Sequence, residues 1–153
     1  TNKFGLYRER TGSITFIADS AEQADIVASQ TMSVARQMYS MPPAHRALLV
    51  SLVLGDQQLR ANWEAELTEV RERIQSMRSL LADNIRNNAA GIDFSHLQQQ
   101  KGMFSFLGLN TAQLDQLREE YGVYIVSSSR VNLAGINSNN IGYLSDSILS
   151  VLK

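Results

Sequence analysis

The chain has 153 residues, 44% apolar and 19% charged, with 14 basic side chains against 15 acidic ones and a formal net charge of -1. That is the composition of a soluble globular chain with its own core; it excludes a disordered segment and lacks the polybasic tail or stripe that nucleic acid or anionic lipid requires. Cysteine is absent, which removes any disulfide framework and any thiolate metal site and fits a cytoplasmic location.

The first expected element is "SITFIA" at 13–18, a β-rich run suited to a strand buried on both faces. Ser20 and Gln23 then stand at capping-box spacing, and Ala24, Val27, Thr31, Val34 and Met38 recur at three- and four-residue intervals. This predicts a helix from about 21 to 38. "YSMPP" ends it, because the residue before a proline is pushed out of the helical region and neither proline donates a backbone N–H. "AHRALLVSLVL" restarts as a mostly apolar, buried helix that Gly55 stops. Its run "ALLVSLVLG" is the longest apolar stretch and is too short for a membrane span, and nothing at the N-terminus resembles a signal peptide.

Asp56 caps the next segment, where Leu59, Trp63, Leu67, Val70, Ile74, Met77 and Leu81 hold one stripe to about Arg86, with Glu69 and Arg73 as an i, i+4 pair. Such a helix is roughly 45 Å long, more than the roughly 40 Å diameter of a compact domain of this size. A helix too long for one body is expected to bridge two domains or to join a coiled coil, and the irregular, short stripe favours the bridge. Beyond it, "GMFSFLGL" predicts a strand. A helix follows at about 111–121, with Asn110 and Gln113 as capping box, Leu109 and Leu114 as hydrophobic staple and Gly122 as terminator. "VYIVSS" and "RVNLAG" predict two more strands, and Ile141, Leu144, Ile148 and Val151 mark a last helix. The order βαββα describes a small α/β or α+β layer. The expected division is therefore 1–69 and 70–153, and the lone strand near the start needs a sheet completed from elsewhere.

Three arginines stand in unusual company: Arg10 in "RERTG", Arg36 late in a helix just before the Pro-Pro break, and Arg130 between three serines and "VNLAG". A guanidinium fork donates two parallel hydrogen bonds and suits carboxylate and phosphate, although a surface salt bridge or helix-end charge is the simpler account of each from sequence alone. Phe104 in "KGMFSFLG" fits a core strand or a site wall. Lys3 reads as a solvated lysine. Ser127, Ser128 and Ser129 lack a histidine or acid at hydrolase spacing. His45 and His96 have no metal-ligand spacing, so no metal site is expected.

Taken together, "FGLYRERTG", "YSMPPAH", "QQQKGMFSFLGL" and "LREEYGVYIVSSSRVNLAGIN" resemble the C-terminal part of the aspartate and aromatic aminotransferases, a branch of the fold-type I pyridoxal-phosphate enzymes. The likeness runs over essentially the whole chain, with its landmarks in family order. It implies an α/β architecture made of the end of a large cofactor-binding domain (1–69), a long bridging helix and a small α/β C-terminal domain (70–153).

The resemblance also implies pyridoxal 5'-phosphate as cofactor, amino-acid and 2-oxo-acid substrates, and a homodimer. Arg10 matches the arginine that pairs with the cofactor phosphate, Arg130 the one that holds the substrate α-carboxylate, and Arg36 the one that reaches a distal carboxylate in the neighbouring subunit's site. Phe104 matches the aromatic beside the substrate. The family pattern Ser-Lys-x-Phe-Gly-Leu-Tyr puts its lysine where this chain has Asn2, with Lys3 one residue out of register, so no catalytic lysine is assigned. Met41 stands where aspartate-selective members usually carry Asn, and Arg46 where many have Gly, which opens the expectation to aromatic substrates. The competing expectation is an inactive C-terminal fragment or a dimerising module without catalysis.

Overall fold

The structure, a computed structural model, describes residues 4–6, 12–41, 43–88 and 91–152. It divides into two compact units, residues 1–67 and 68–153.

In the first unit, Ser20 is extended and its Oγ accepts from the Gln23 N–H at 3.2 Å, which satisfies one free donor of helix α1 (Ala21–Tyr39). The helix ends at Ser40, a left-handed residue at φ 65° whose N–H still reaches the Arg36 carbonyl. Helix α2 (His45–Gly55) follows. Asp56 Oδ1 then accepts from the Leu59 N–H at 2.9 Å, the expected cap on helix α3 (Gln57–Asn88). Phe4 stacks on Trp63 of that helix with ring centroids 4.6 Å apart.

Two expectations fail here. Residues 13–18 form no strand, and Ile14, Phe16 and Ile17 are exposed, Ile17 almost wholly (98%). Helix α2 exists but is not buried: Leu48, Leu52 and Leu54 face outward, and neither α1 nor α2 has a buried residue. The cause is shared. A strand is made by its neighbour and a buried helix by the layer over it, and the described residues supply neither.

The second unit contains the last two thirds of α3, then α4 (His96–Gln99), β1 (Phe104–Phe106), α5 (Thr111–Tyr121), β2 (Arg130–Asn132), a 3₁₀ turn (Leu133–Gly135) and α6 (Ile141–Val151). Leu81 and Ile85 of α3, Leu97, Leu107, Leu117 of α5, Leu133 and Ile148 of α6 are sealed in one core. Each such side chain contributes about 1.5–3 kcal/mol relative to exposure. The ends of α5 follow the sequence signals: the Asn110–Gln113 capping box is reciprocal, and Gly122 takes the left-handed conformation at φ 62° that a Cβ would resist. On α6, the buried Ser145 hydroxyl donates to the Ile141 carbonyl at 2.7 Å, so its burial leaves no orphaned donor.

Strands β1 and β2 pair antiparallel, Phe104 with Asn132, Ser105 with Val131 and Phe106 with Arg130. The other edge of β1 is covered by Gln100, whose side-chain amide bonds both the N–H and the carbonyl of Phe106, at 2.8 and 3.1 Å, as a further strand would. The strand expected over "VYIVSS" is absent. Val123 and Ile125 pack against the core, but their backbone pairs with no strand and the segment closes in a turn at 127–128. The strand expected over "RVNLAG" stops at Asn132, whose Oδ1 accepts from the Ala134 N–H and opens the 3₁₀ turn. The Glu69–Arg73 pair is also absent, for Arg73 donates instead to the carbonyls of Ala134 (3.3 Å) and Ile136 (2.8 Å). Among the described residues, no helix is long and apolar enough to cross a membrane.

Candidate functional site

Alternation along the two short strands puts Phe104, Phe106, Arg130 and Asn132 on one face and Ser105 and Val131 on the other. The second face is covered, with Ser105 at 0% exposure; on the first, Phe104 is 41% exposed and Phe106 52%. Arg130 lies opposite Phe106 in the ladder yet reaches diagonally, its guanidinium carbon 4.5 Å from the Phe104 ring centroid. The ring face attracts the cation and fixes its plane, while the N–H edge stays available to an anion.

Arg60, Arg71, Arg73, Arg78, Arg86 and Arg118 each donate to an oxygen of the protein. Arg130 and Arg36 do not: among the described residues, neither side chain has a hydrogen bond or ion pair. A guanidinium left without a carboxylate is an open fork for one. Arg36 sits in the last turn of α1, exposed, in the first unit; Arg130 and Phe104 are brought together in the second. Met41 is 76% exposed just past Ser40. Arg10, Asn2 and Lys3 lie outside the described residues.

Of the three serines before Arg130, Ser129 has a structural task. It is buried, its Oγ accepts from the Leu109 N–H at 2.9 Å, and its carbonyl accepts from the Leu107 N–H at 2.9 Å. The approach to β2 is thereby tied to the exit of β1. Sequence reasoning missed Arg78, which is buried at 5% exposure; its Nε donates to Ser105 Oγ at 3.3 Å and a second nitrogen donates to the Gly102 carbonyl. Burial pulls its guanidinium below the ordinary range, and it has no carboxylate partner among the described residues. A signal existed, since Arg78 falls on the buried stripe four residues after Ile74 and three before Leu81. His96 is engaged with the Phe106 carbonyl at 3.1 Å, and the described residues contain no cluster of three or more metal-ligating side chains.

Residues 2–148 match the family described as Aminotransferase class I and II. The chain belongs to that family. It is 47% identical over 152 residues to the aspartate aminotransferase of Haemophilus influenzae and 46% identical to that of Escherichia coli K12, in each case over 99% of this chain and 38% of the relative. Among solved structures, the aromatic-amino-acid aminotransferase from Burkholderia pseudomallei covalently bound to pyridoxal phosphate superimposes with a TM-score of 0.87 at 43% identity, again over 99% of this chain and 38% of that one. The chain thus spans about 38% of the length of the relatives it matches. For this class I and II aminotransferase chain, the described donor that fits an anionic guest is the ring-stacked guanidinium of Arg130, which holds no protein acid and suits a carboxylate or a phosphate. Arg10, expected from the resemblance to pair with the cofactor phosphate, lies outside the described residues and is not tested by this geometry.

Proposed function

We propose that the complete protein transfers the amino group of an L-amino acid, either aspartate or glutamate or an aromatic one, to a 2-oxo acid with pyridoxal 5'-phosphate as cofactor. On this reading the chain is the C-terminal part of the subunit, with 1–69 the end of the large domain and 70–153 the small domain entered by α3. The observation that carries it is the unpaired guanidinium of Arg130 lying over Phe104 in a chain of this family.

Bound pyridoxal phosphate supplies the electron sink at the substrate's α-carbon. The chain's own residues do the holding. Arg130 takes the α-carboxylate through two parallel N–H bonds, and Phe104 fixes its plane and keeps water from that side. Arg10 pairs with the cofactor phosphate. Arg36 reaches a distal carboxylate in the neighbouring subunit's site, so the working form on this reading is a homodimer; a cytoplasmic location without membrane or nucleic-acid partners is part of the same proposal. Met41 and Arg46 broaden the choice of side chain. No proton carrier is assigned, since Asn2 occupies the lysine position.

Changing Arg130→Leu in the complete protein removes a charge-assisted bidentate contact and is expected to raise KM by roughly 100-fold, with kcat/KM falling at least as far. Unchanged kinetics would take Arg130 out of the site. Asn2 favours a second reading, an inactive C-terminal piece or dimerising module. Incubating the protein with pyridoxal phosphate, reducing with borohydride and weighing it separates the two: a covalent mass increment supports the enzyme, and its absence together with a dimer by light scattering supports the module.

A further inference from the structure

The covered face of the β1–β2 pair rests on α3 through two arginines. Arg78 donates to Gly102 and Ser105 at the entry to β1, and Arg73 to Ala134 and Ile136 just past the end of β2. Because the strands are antiparallel, these points lie at the same end of the ladder, joined by the Leu133 N–H to Met103 carbonyl bond at 2.9 Å. That end carries Phe104. Gly102 sits at φ 87°, a left-handed turn that feeds the chain into β1, and the bond from Arg78 holds its carbonyl in that turn. The residue on the far side of the backbone from Phe104, Ser105, is fully buried and held by Arg78 Nε.

We infer that Arg78 is a positioning residue for substrate binding: it fixes the strand on whose opposite face Phe104 orients Arg130. The inference rests on the reading of Arg130 as the α-carboxylate ligand. A buried guanidinium holds a carbonyl and a hydroxyl through two different nitrogens fixed in a planar fork; a lysine ammonium has its three donors on one nitrogen at the end of a flexible stem and does not reproduce that fixed geometry. Loss of one contact lets Phe104 move relative to Arg130, and displacements on the order of 1 Å at a binding group have large effects. Arg73, exposed and bonded only to carbonyls, secures the other strand at the same end.

The test uses the complete, cofactor-loaded protein and four variants, Arg78→Lys, Ser105→Ala, Arg130→Leu and the Arg78→Lys/Arg130→Leu double. Dissociation constants for L-aspartate and L-phenylalanine, which share the α-carboxylate, are measured by calorimetry alongside KM and kcat. Arg78→Lys is expected to weaken binding of both ligands roughly tenfold and to raise KM by a similar factor with kcat changed much less; Ser105→Ala, the milder variant, should move them in the same direction. In the Arg130→Leu background the Arg78→Lys effect should vanish, since residues acting as one unit are non-additive. The inference is overturned if Arg130→Leu weakens binding while Arg78→Lys and Ser105→Ala do not, or if the Arg78→Lys effect persists undiminished in the double variant. If Arg130→Leu itself leaves binding unchanged, the reading of Arg130 falls and the inference falls with it.

Discussion

The two units differ in where their apolar side chains go. In residues 68–153, side chains from Leu81 to Val151 close a single core; among the described residues of 1–67 none is buried, and Ile17, Met38 and Leu48 face outward. Yet α1 and α5 are begun by the same device, a polar side chain accepting from the N–H three residues on. Local chemistry sets where a helix begins and ends, and only a second layer decides whether its stripe is covered.

The largest break in this comparison would come from separating the units. Residues 68–153 expressed alone should keep a cooperative thermal transition by circular dichroism, and residues 1–67 should show none, because isolated helices without packing are marginal in water. A sigmoidal melt from 1–67 would erase the contrast. A smaller effect is expected from paired truncations in the whole chain: Ile85→Ala, at a fully buried site, should cost about 2–5 kcal/mol in chemical denaturation. Ile17→Ala, at an exposed one, should stay within about 0.5 kcal/mol.

The smallest effect sharpens the picture of the second unit. The Ser95 N–H and hydroxyl hold the Asp93 carboxylate below its usual range, aided by His96 and Arg86. Its folded value is thus lower than its unfolded one, so its contribution is complete above the ordinary carboxylate value of about 3.9 and is lost as pH falls through the lowered one. Asp93→Asn should lower Tm slightly at neutral pH, and the gap to the unsubstituted protein should close in strong acid. A gap that is constant with pH would mean the ionised form is not what Ser95 holds.

Much of the helical structure was legible in the sequence. The limits of α1 and α5 followed from Ser20, Asn110 and Gly122, and the Asp56 cap on α3 from one residue. What failed depended on partners distant in sequence. "VYIVSS" has strand composition, but β1 pairs with the residues that follow it, and composition does not choose between neighbours. Arg73 looked like half of a local ion pair and instead spans more than sixty positions to Ile136. The site was legible unevenly. Arg130, Arg36 and Phe104 were singled out by their surroundings and by family resemblance, and the diagonal contact of two of them is a fact of pairing that no spacing announces. Arg78 is hard to find in the sequence because a charge on an apolar stripe reads as a solvated exception, although its spacing is that of a core position.

The ladder under Arg130 has only three rungs. Side chains alternate between faces, so sliding β1 by a single position would trade Phe104 for Ser105, turning an aromatic ring toward the guanidinium of Arg78 and a hydroxyl toward Arg130. With so few rungs to resist such slippage, fidelity rests on the anchors at either end, Ser129 at one and the α3 arginines at the other. A one-residue insertion or deletion within β1 itself would therefore turn over the face that carries Phe104, whereas one in the long connection through α5 could be absorbed by its loops.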